Sequence, residues 1–374
     1  MKYKKSKKLS ILLTLSSIAL LSIIACEDAD DLADGSDTSE TLAIYDDVLE
    51  NLSENVITPS ITQYQTSITS LSEAVDEFSQ TTTQVNLDAV KTAYKTAYLD
   101  FQKIAIHNFG TIAELKLSET NNFYPVDTTD AKEFIEAEDY DFSDILGSDS
   151  HKKANGFPVI DYLLHNDDVP LTLFENDDKA ITFLDTLVGY MLATATEINT
   201  SWATEKENYV ANTGIQSGSS LSTHINASLA WFEDAIRNDK VGNIIGKNSP
   251  NEEFDAIENA LEAYFEAEAN SNEDFSIELL ESAIDAFEKF YLGNDDDGTE
   301  GKGFDDVLEE LGKTSIDTEI KAQFTSIKNT IDTRGQISGD DALHAAIQEM
   351  ITIWKSDFFN ALNITDGDGI SDGD

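Results

Sequence analysis

Apolar residues recur at helical spacing along almost the whole chain, and this period limits the folds open to it. Between Leu42 and Phe78 the apolar stripe returns every three or four positions, and Pro59 predicts a kink there. No succession of strands is evident, which predicts an all-α fold of two helical-bundle domains packed side by side. The predicted helices cover residues 42–78, 86–109, 178–209, 219–238, 251–268, 273–291, 303–312, 315–332 and 339–361, with a long connection at 120–150 and a turn-rich return at 240–246.

The first 25 residues are typical of an export signal rather than of a folded domain. Five lysines precede an apolar stretch from Leu9 to Leu21, and Ala25 precedes the only cysteine, Cys26. This pattern predicts a bacterial lipoprotein that is cleaved before Cys26, acylated on it and bound to the membrane through that lipid. A plain secretory signal and a membrane anchor are the alternatives. The predicted divisions are a signal peptide (1–25), an acidic tether (26–40), an N-terminal helical domain (41–200) and a C-terminal helical domain with an acidic tail (201–374).

The acids that directly follow Cys26 lack an apolar period and predict a flexible tether. They are similar to the surface-export signals of Bacteroidetes lipoproteins, and a solvated spacer without any such signal explains them equally well. We therefore expect a cell-envelope protein that is lipid-anchored to the outer membrane, with surface exposure left open. The sequence leaves the oligomeric state open as well.

The charge balance excludes two classes of partner. The 374 residues include 72 acids and 24 Lys and Arg, which give a formal charge of −48. Removing the signal takes away five lysines and no acid, so the charge of the remaining 349 residues becomes −53. Nucleic acid and anionic lipid surfaces would both be repelled. Dense surface acid suits solubility, a saline habitat or the attraction of cations.

The segment from Gly156 to Leu164 is short, mostly apolar and carries one acid, Asp161. Proline is tolerated in the first helical turn, so Gly156 to Pro158 predicts the start of a helix. The apolar positions form a buried stripe with Asp161 near its edge. An acid in that place either caps another element or faces a cleft, and the sequence leaves both open.

Few side chains suggest metal or hydrolase chemistry. Asp161 and His165 lie four residues apart and could share an ion, and His344 stands similarly between Asp341 and Gln348. A surface histidine beside an acid explains each pair as well. Acid and glycine loops at 293–303 and 366–374 suggest calcium, but neither fits the EF-hand register, and a frayed acidic terminus is the better explanation of the second. The last candidates are the serines 217, 219 and 220 with His224, for which helix capping is the better explanation.

Several landmarks together resemble the imelysin-like family of bacterial envelope proteins, and especially its Bacteroidetes lipoprotein branch. Their order and spacing carry the resemblance, which covers most of residues 42–374. The matching pieces are 101–102, 108–110, 122–127, 156–164, 213–214, 218–226, 240–242, 303–308 and 343–357 with the acidic tail.

The resemblance implies two helical domains with a functional cleft at their junction, lined by a Gly-x-His-x-x-Glu motif. That motif matches residues 156–161, where Pro158 stands at the histidine position and Asp161 at the glutamate position. Proline can neither ligate a metal nor carry a proton, which argues against the family's metal and peptidase chemistry here. The cleft residues implied are Gly156, Pro158, Asp161, Ser220, Asn226 and Lys240.

Three hypotheses follow. The first is a non-enzymatic lipoprotein that binds a ligand in the cleft, with a link to iron uptake and to envelope or iron-uptake partner proteins, since family members are often described as iron-regulated. The second is a metal-dependent peptidase of the imelysin type, with Asp161, His165 and a further acid as ligands of iron or another divalent ion. The third is a structural or adhesive surface module. Capping and inter-helix hydrogen bonding would explain the cleft residues without any ligand.

Overall fold

The chain is described from a computed structural model. It describes residues 37–365 except 139–141, 143–144, 146–148, 167–169, 177, 250–252, 254, 258, 296 and 340. The predicted signal peptide, the acylation site at Cys26, most of the tether and the acidic tail 366–374 lie outside the described residues. The described residues are helices and connections, with no strand among them. The all-α prediction is therefore confirmed.

The described residues of the first half form ten α-helices. Its core is built from three long helices: α2 packs along α3 on one side and along α10 on another. In order, these helices are α1 (Asp37–Asn51), α2 (Thr58–Gln80), α3 (Gln84–Ala105), α4 (Gly110–Glu114), α5 (Leu117–Asn121), α6 (Thr128–Ala137), α7 (Asp149–Lys153), α8 (Phe157–His165), α9 (Pro170–Asn176) and α10 (Asp178–Ala211), with a π-helical segment at Leu52–Ile57.

The second half packs around α14, which contacts α3 of the first half. Its helices are α11 (Ser220–Trp231), α12 (Asn243–Ile245), α13 (Tyr264–Asn270), α14 (Asp274–Leu292), α15 (Phe304–Glu310), α16 (Thr314–Arg334), α17 (Asp341–Ile353) and α18 (Phe359–Leu362), with further π-helical segments at Phe232–Gly242 and Trp354–Phe358. None of the helices described is both long enough and apolar enough to cross a membrane.

Local chemistry explains where many of these helices begin and end. The side chain of Thr83 accepts a hydrogen bond from the Asn86 amide at the start of α3, and Ser219 accepts one from Ser222 at the start of α11. Gly293, with φ of 66°, ends α14 in the left-handed conformation that favours glycine. The buried apolar side chains of both halves form one cluster. The predicted division into two domains at residue 200 stays a prediction, and that position lies inside α10.

Two local predictions are wrong. Residues 240–246 are helical up to Ile245 rather than a turn-rich return, because buried contacts of Lys240 hold the π-helical segment against its neighbours. The predicted helix 251–268 is replaced by α13, which begins only at Tyr264, and the described residues from 253 to 263 are not helical. Within this segment Glu262 binds Gln102, Asn122 and Lys240, which are distant in the sequence, and a local pattern does not predict such contacts.

Candidate functional site

The helix α8 starts at Gly156, a position that no other residue can occupy without strain. Gly156 has φ of 81°, and a Cβ atom on it would lie 2.3 Å from the main-chain oxygen of Asn121 at the end of α5. Pro158 stands in the first turn of α8, as predicted. All nine residues of α8 are buried, so Asp161 lies inside the protein rather than at the edge of a surface stripe.

The Asp161 carboxylate joins α8 to the start of α13. Its Oδ2 accepts a hydrogen bond from the Phe265 amide at 2.7 Å, and its Oδ1 accepts one from the Glu266 amide at 3.2 Å. Oδ1 also lies 2.9 Å from Nδ1 of His165, one turn further along α8. Asp161 thus satisfies amides at the start of another helix and holds an imidazole in place.

Burial sets the protonation chemistry around this carboxylate. It raises the pKa of Asp161, and the hydrogen bonds from His165 and from the two amides act in the opposite direction. Burial also raises the pKa of the Tyr94 hydroxyl, and the nearby carboxylates of Asp161 and Glu262 raise it further. The Tyr94 hydroxyl therefore stays protonated beside these carboxylates.

A cavity of about 270 Å³ opens beside this pair, and we call it the motif cavity. Because α3 and α13 supply most of its wall, it lies where the two halves of the chain meet. His165 lines the cavity, and Nδ1 is the only ring nitrogen that bonds to another described residue. The lining residues are Lys91, Thr92, Lys95, His165, Glu266, Ala269 and Asn270.

A second buried polar cluster surrounds Glu262, which sequence reasoning missed. Lys240 forms a buried ion pair with its carboxylate, and Gln102 and Asn122 donate to Oε1 at 2.9 Å and 2.6 Å. The carboxylate thus connects the π-helical segment 232–242 to α3 and to the connection after α5. Gln102 and Asn122 stand in pieces that resemble the imelysin-like family, whereas no local pattern pointed to Glu262.

The structure does not bring all six predicted cleft residues together. Gly156, Pro158 and Asp161 share α8, and Lys240 lies in the neighbouring Glu262 cluster. Ser220 begins α11 and donates its amide to the Asn212 oxygen, and Asn226 donates to Ser222 on the same helix. None of the six contributes to the wall of the motif cavity, which α8 reaches only through His165.

The residues around α8 do not fit a resident metal ion. Pro158 offers no ligand atom, and the Asp161 oxygens already accept three N–H groups. Glu266 pairs with Lys95 at 2.5 Å. Within the part of the chain that the structure describes, no group of three or more His, Cys, Asp and Glu side chains could hold a metal.

The other sequence candidates are engaged in the fold. The side-chain oxygen of Gln348, which was predicted to share an ion with His344, accepts a hydrogen bond from Arg237 instead. Loop 293–303 is held by Asn51, which donates to the oxygens of Gly293 and Lys302, and the carboxylate of Asp295 accepts the Thr299 amide. Ser219 caps α11, as predicted. The second calcium candidate, 366–374, lies outside the described residues.

Comparison with known proteins assigns a family. The family model described as Imelysin, Peptidase_M75, matches residues 57–355. An imelysin-like protein of Psychrobacter arcticum has the same fold, with a TM-score of 0.67 and 12% identity over 87% of this chain and 98% of its own. A precursor assigned as iron-regulated protein A of Parabacteroides distasonis gives a TM-score of 0.64 and 15% identity over 86% of this chain and 94% of its own.

No protein in the curated collection matches the chain significantly. At such low identity the two solved structures show a shared fold and nothing finer. The family model spans well over half of the sequence, and its match contains both α8 and the Glu262 cluster. The chain therefore belongs to the imelysin family.

Proposed function

We propose that this imelysin-family chain is a lipid-anchored protein of the cell envelope that binds a small anionic ligand in the motif cavity, serves iron uptake and is not an enzyme. One observation carries the proposal. The imidazole of His165 is fixed through Nδ1 by the buried Asp161 carboxylate and lines an open cavity at the junction of the two halves. An imidazole that is fixed through Nδ1 in this way is suited to bind a ligand through Nε2.

The charge of the cavity supports an anion. Lys91, Lys95 and Glu266 all line it, and because Glu266 pairs with Lys95, Lys91 is the lining cation without an ion pair among the described residues. Burial lowers the pKa of Lys91, and the carboxylates of Asp88, Asp161 and Glu266 act to raise it. A bound anion would add a further counter-charge beside this lysine. The fold shared with an iron-regulated protein favours an iron chelate with carboxylate groups as that anion.

Titration calorimetry of the mature chain with ferric citrate tests the proposal. We expect binding with a Kd on the order of micromolar, and about fivefold weaker binding for Lys91→Gln, which removes one charge-assisted contact. His165→Gln should also weaken binding. Lys313→Gln, at an exposed lysine, changes the net charge equally and should leave the Kd unchanged. Equal weakening by the Lys91 and Lys313 variants, or no heat with ferric citrate or citrate alone, would contradict the proposal.

The metallopeptidase alternative rests on the same Asp161 and His165 pair and would need Glu266 as a third ligand. Lys95 holds the carboxylate of Glu266 at 2.5 Å, so that ligand would have to be released first. Metal-dependent cleavage of casein by the mature chain, lost in His165→Gln, would favour the peptidase over the binding protein.

A further inference from the structure

A chain of three buried polar side chains crosses the interior away from α8. The Tyr209 hydroxyl lies 2.9 Å from Nδ1 of His224, and Nε2 of His224 lies 2.9 Å from Nδ1 of His107. His224 is fully buried and His107 retains only 1% of its exposure. Burial lowers the pKa of His107 to about 3 and that of His224 well below its ordinary value, so both rings stay neutral at physiological pH.

This chain ends at a second cavity, of about 290 Å³, which we call the α14 cavity. His107 lines it, and Nε2 of His107 has no hydrogen-bond partner among the described residues. The π-helical segment Leu52–Ile57 and the helices α2, α3 and α14 line the cavity, and one face of α14 supplies half of its polar side chains. The lining residues are Asn55, Val56, Ser60, Leu99, Lys103, His107, Glu278, Glu281, Ser282, Asp285, Ala286, Lys289 and Asn294.

The acids of the α14 cavity are only partly neutralised. Asp285 pairs with Lys328 at 2.5 Å, the ammonium of Lys103 is turned towards Asp100 at 2.9 Å, and Lys289 is the second lysine in the wall of the cavity. Glu278 and Glu281 make no ion pair or hydrogen bond with another described residue. Burial raises the pKa of Glu281, and the neighbouring acids Asp332, Asp285 and Glu278 raise it further. A cation placed beside these two carboxylates would lower that repulsion.

We propose that the α14 cavity binds a short aliphatic diamine, whose ammonium groups meet the Glu278 and Glu281 carboxylates and Nε2 of His107. In the tautomer in which His107 donates its Nδ1–H to His224, and His224 donates its own Nδ1–H to Tyr209, Nε2 of His107 carries no proton and accepts from the ligand. Val56, Leu99 and Ala286 contact the aliphatic body. The volume, roughly ten waters at about 30 Å³ each, suits such a small molecule. This site is independent of the motif cavity.

Titration of the full mature chain with 1,4-diaminobutane at about 0.15 M salt tests the proposal. We expect saturable binding that weakens about tenfold in the double variant Glu278→Gln, Glu281→Gln. The matched control is Glu309→Gln, Glu310→Gln, which removes two exposed acids from α15 and should leave the Kd unchanged. In the unmutated protein the imidazole ¹⁵N resonance of His107 should shift on binding, a readout that does not depend on any variant folding.

Three results would overturn this site. Equal weakening in both double variants would show general attraction to an acidic protein. Equal binding of butane-1,4-diol would show that the ammonium groups are not recognised. A His107 resonance that stays in place at saturation would show that the diamine binds elsewhere.

Discussion

The carboxylate of Asp161 accepts a hydrogen bond from Nδ1 of His165 at 2.9 Å, and both side chains are buried within one turn of α8. The same carboxylate accepts the amides of Phe265 and Glu266, which begin α13. Because α8 and α13 lie about a hundred residues apart in the sequence, this one acid links the conformation of the motif to the wall of the motif cavity. Asp161 is thus a structural anchor between α8 and α13.

Replacing Asp161 should destabilise the protein strongly. Asp161→Ala leaves two buried amides and an imidazole without their acceptor, and we expect a loss of roughly 3 kcal/mol in the free energy of unfolding. Asp161→Asn keeps one acceptor oxygen and should cost less. Urea unfolding followed by far-UV circular dichroism measures both values.

The matched control is Asp127→Ala. Asp127 caps α6 through the amides of Thr129 and Asp130 in the same way, but it is only partly buried. Water can replace that cap, so we expect a loss of only about 1 kcal/mol. Similar losses for Asp161→Ala and Asp127→Ala would mean that burial adds nothing to the Asp161 contacts.

Removing Lys240 should cost more than removing any surface lysine. Lys240→Met leaves the Glu262 carboxylate buried without its counter-charge, and we expect a loss of about 3–5 kcal/mol. The double variant Lys240→Met, Glu262→Gln should recover part of it, because the uncompensated charge is gone while Gln102 and Asn122 keep an acceptor.

Lys302→Met serves as the control for this pair. Lys302 meets Asp306 at 2.6 Å, but half of its side chain is exposed, and such pairs contribute about 0–1 kcal/mol. If Lys302→Met and Lys240→Met changed the urea midpoint equally, the Glu262 cluster would not be the strong contact described above.

The fold class could be predicted from the sequence because the apolar period alone determines it. The starts of α8 and α11 were also predictable, since Pro158 and Ser219 act within a few residues of their partners. The start of α13 was not, because its cap is Asp161, about a hundred residues earlier. A pattern search over a short window cannot contain that contact.

The site was predictable only in part, for the same reason. Asp161, His165 and Lys240 were recognised from the motif and the resemblance, but their partners come from distant segments. Glu262 stands among many acids of an acidic chain, and nothing local separates it from the solvated ones. His107 likewise gains its role from His224 only in three dimensions.

Gly156 should tolerate no side chain. Gly156→Ala combines a φ of 81° with a Cβ atom 2.3 Å from the Asn121 oxygen, so the start of α8 must move. We expect a loss of more than about 3 kcal/mol, or failure to fold. Gly335→Ala has a similar φ of 65° but meets no atom within 4 Å, and it should cost only about 1 kcal/mol. Thermal unfolding of both variants separates the effect of the Asn121 contact from that of the positive φ. Equal losses of stability in the two variants would exclude a role for the contact.

Asp239 should make stability depend on pH. Burial raises its pKa from 3.8 to about 7, and the carboxylates of Asp234 and Glu262 add to the shift while Lys240 opposes it. Between these two pKa values the folded chain keeps a proton that the unfolded chain has released. Its contribution to stability is therefore fully present below pH 4 and is lost as the pH rises towards and through 7.

Asp239→Asn replaces this carboxyl group by an amide that does not titrate. Comparing it with the wild type isolates the pH dependence due to Asp239 from that of the other titrating groups. The stability advantage of the variant over the wild type should grow from pH 5 to pH 8 by on the order of 2 kcal/mol, a figure reduced for the partial exposure of the side chain. Urea midpoints of the two proteins at both pH values measure the difference. A difference that stays constant from pH 5 to pH 8 would mean that Asp239 titrates alike in the folded and unfolded chains.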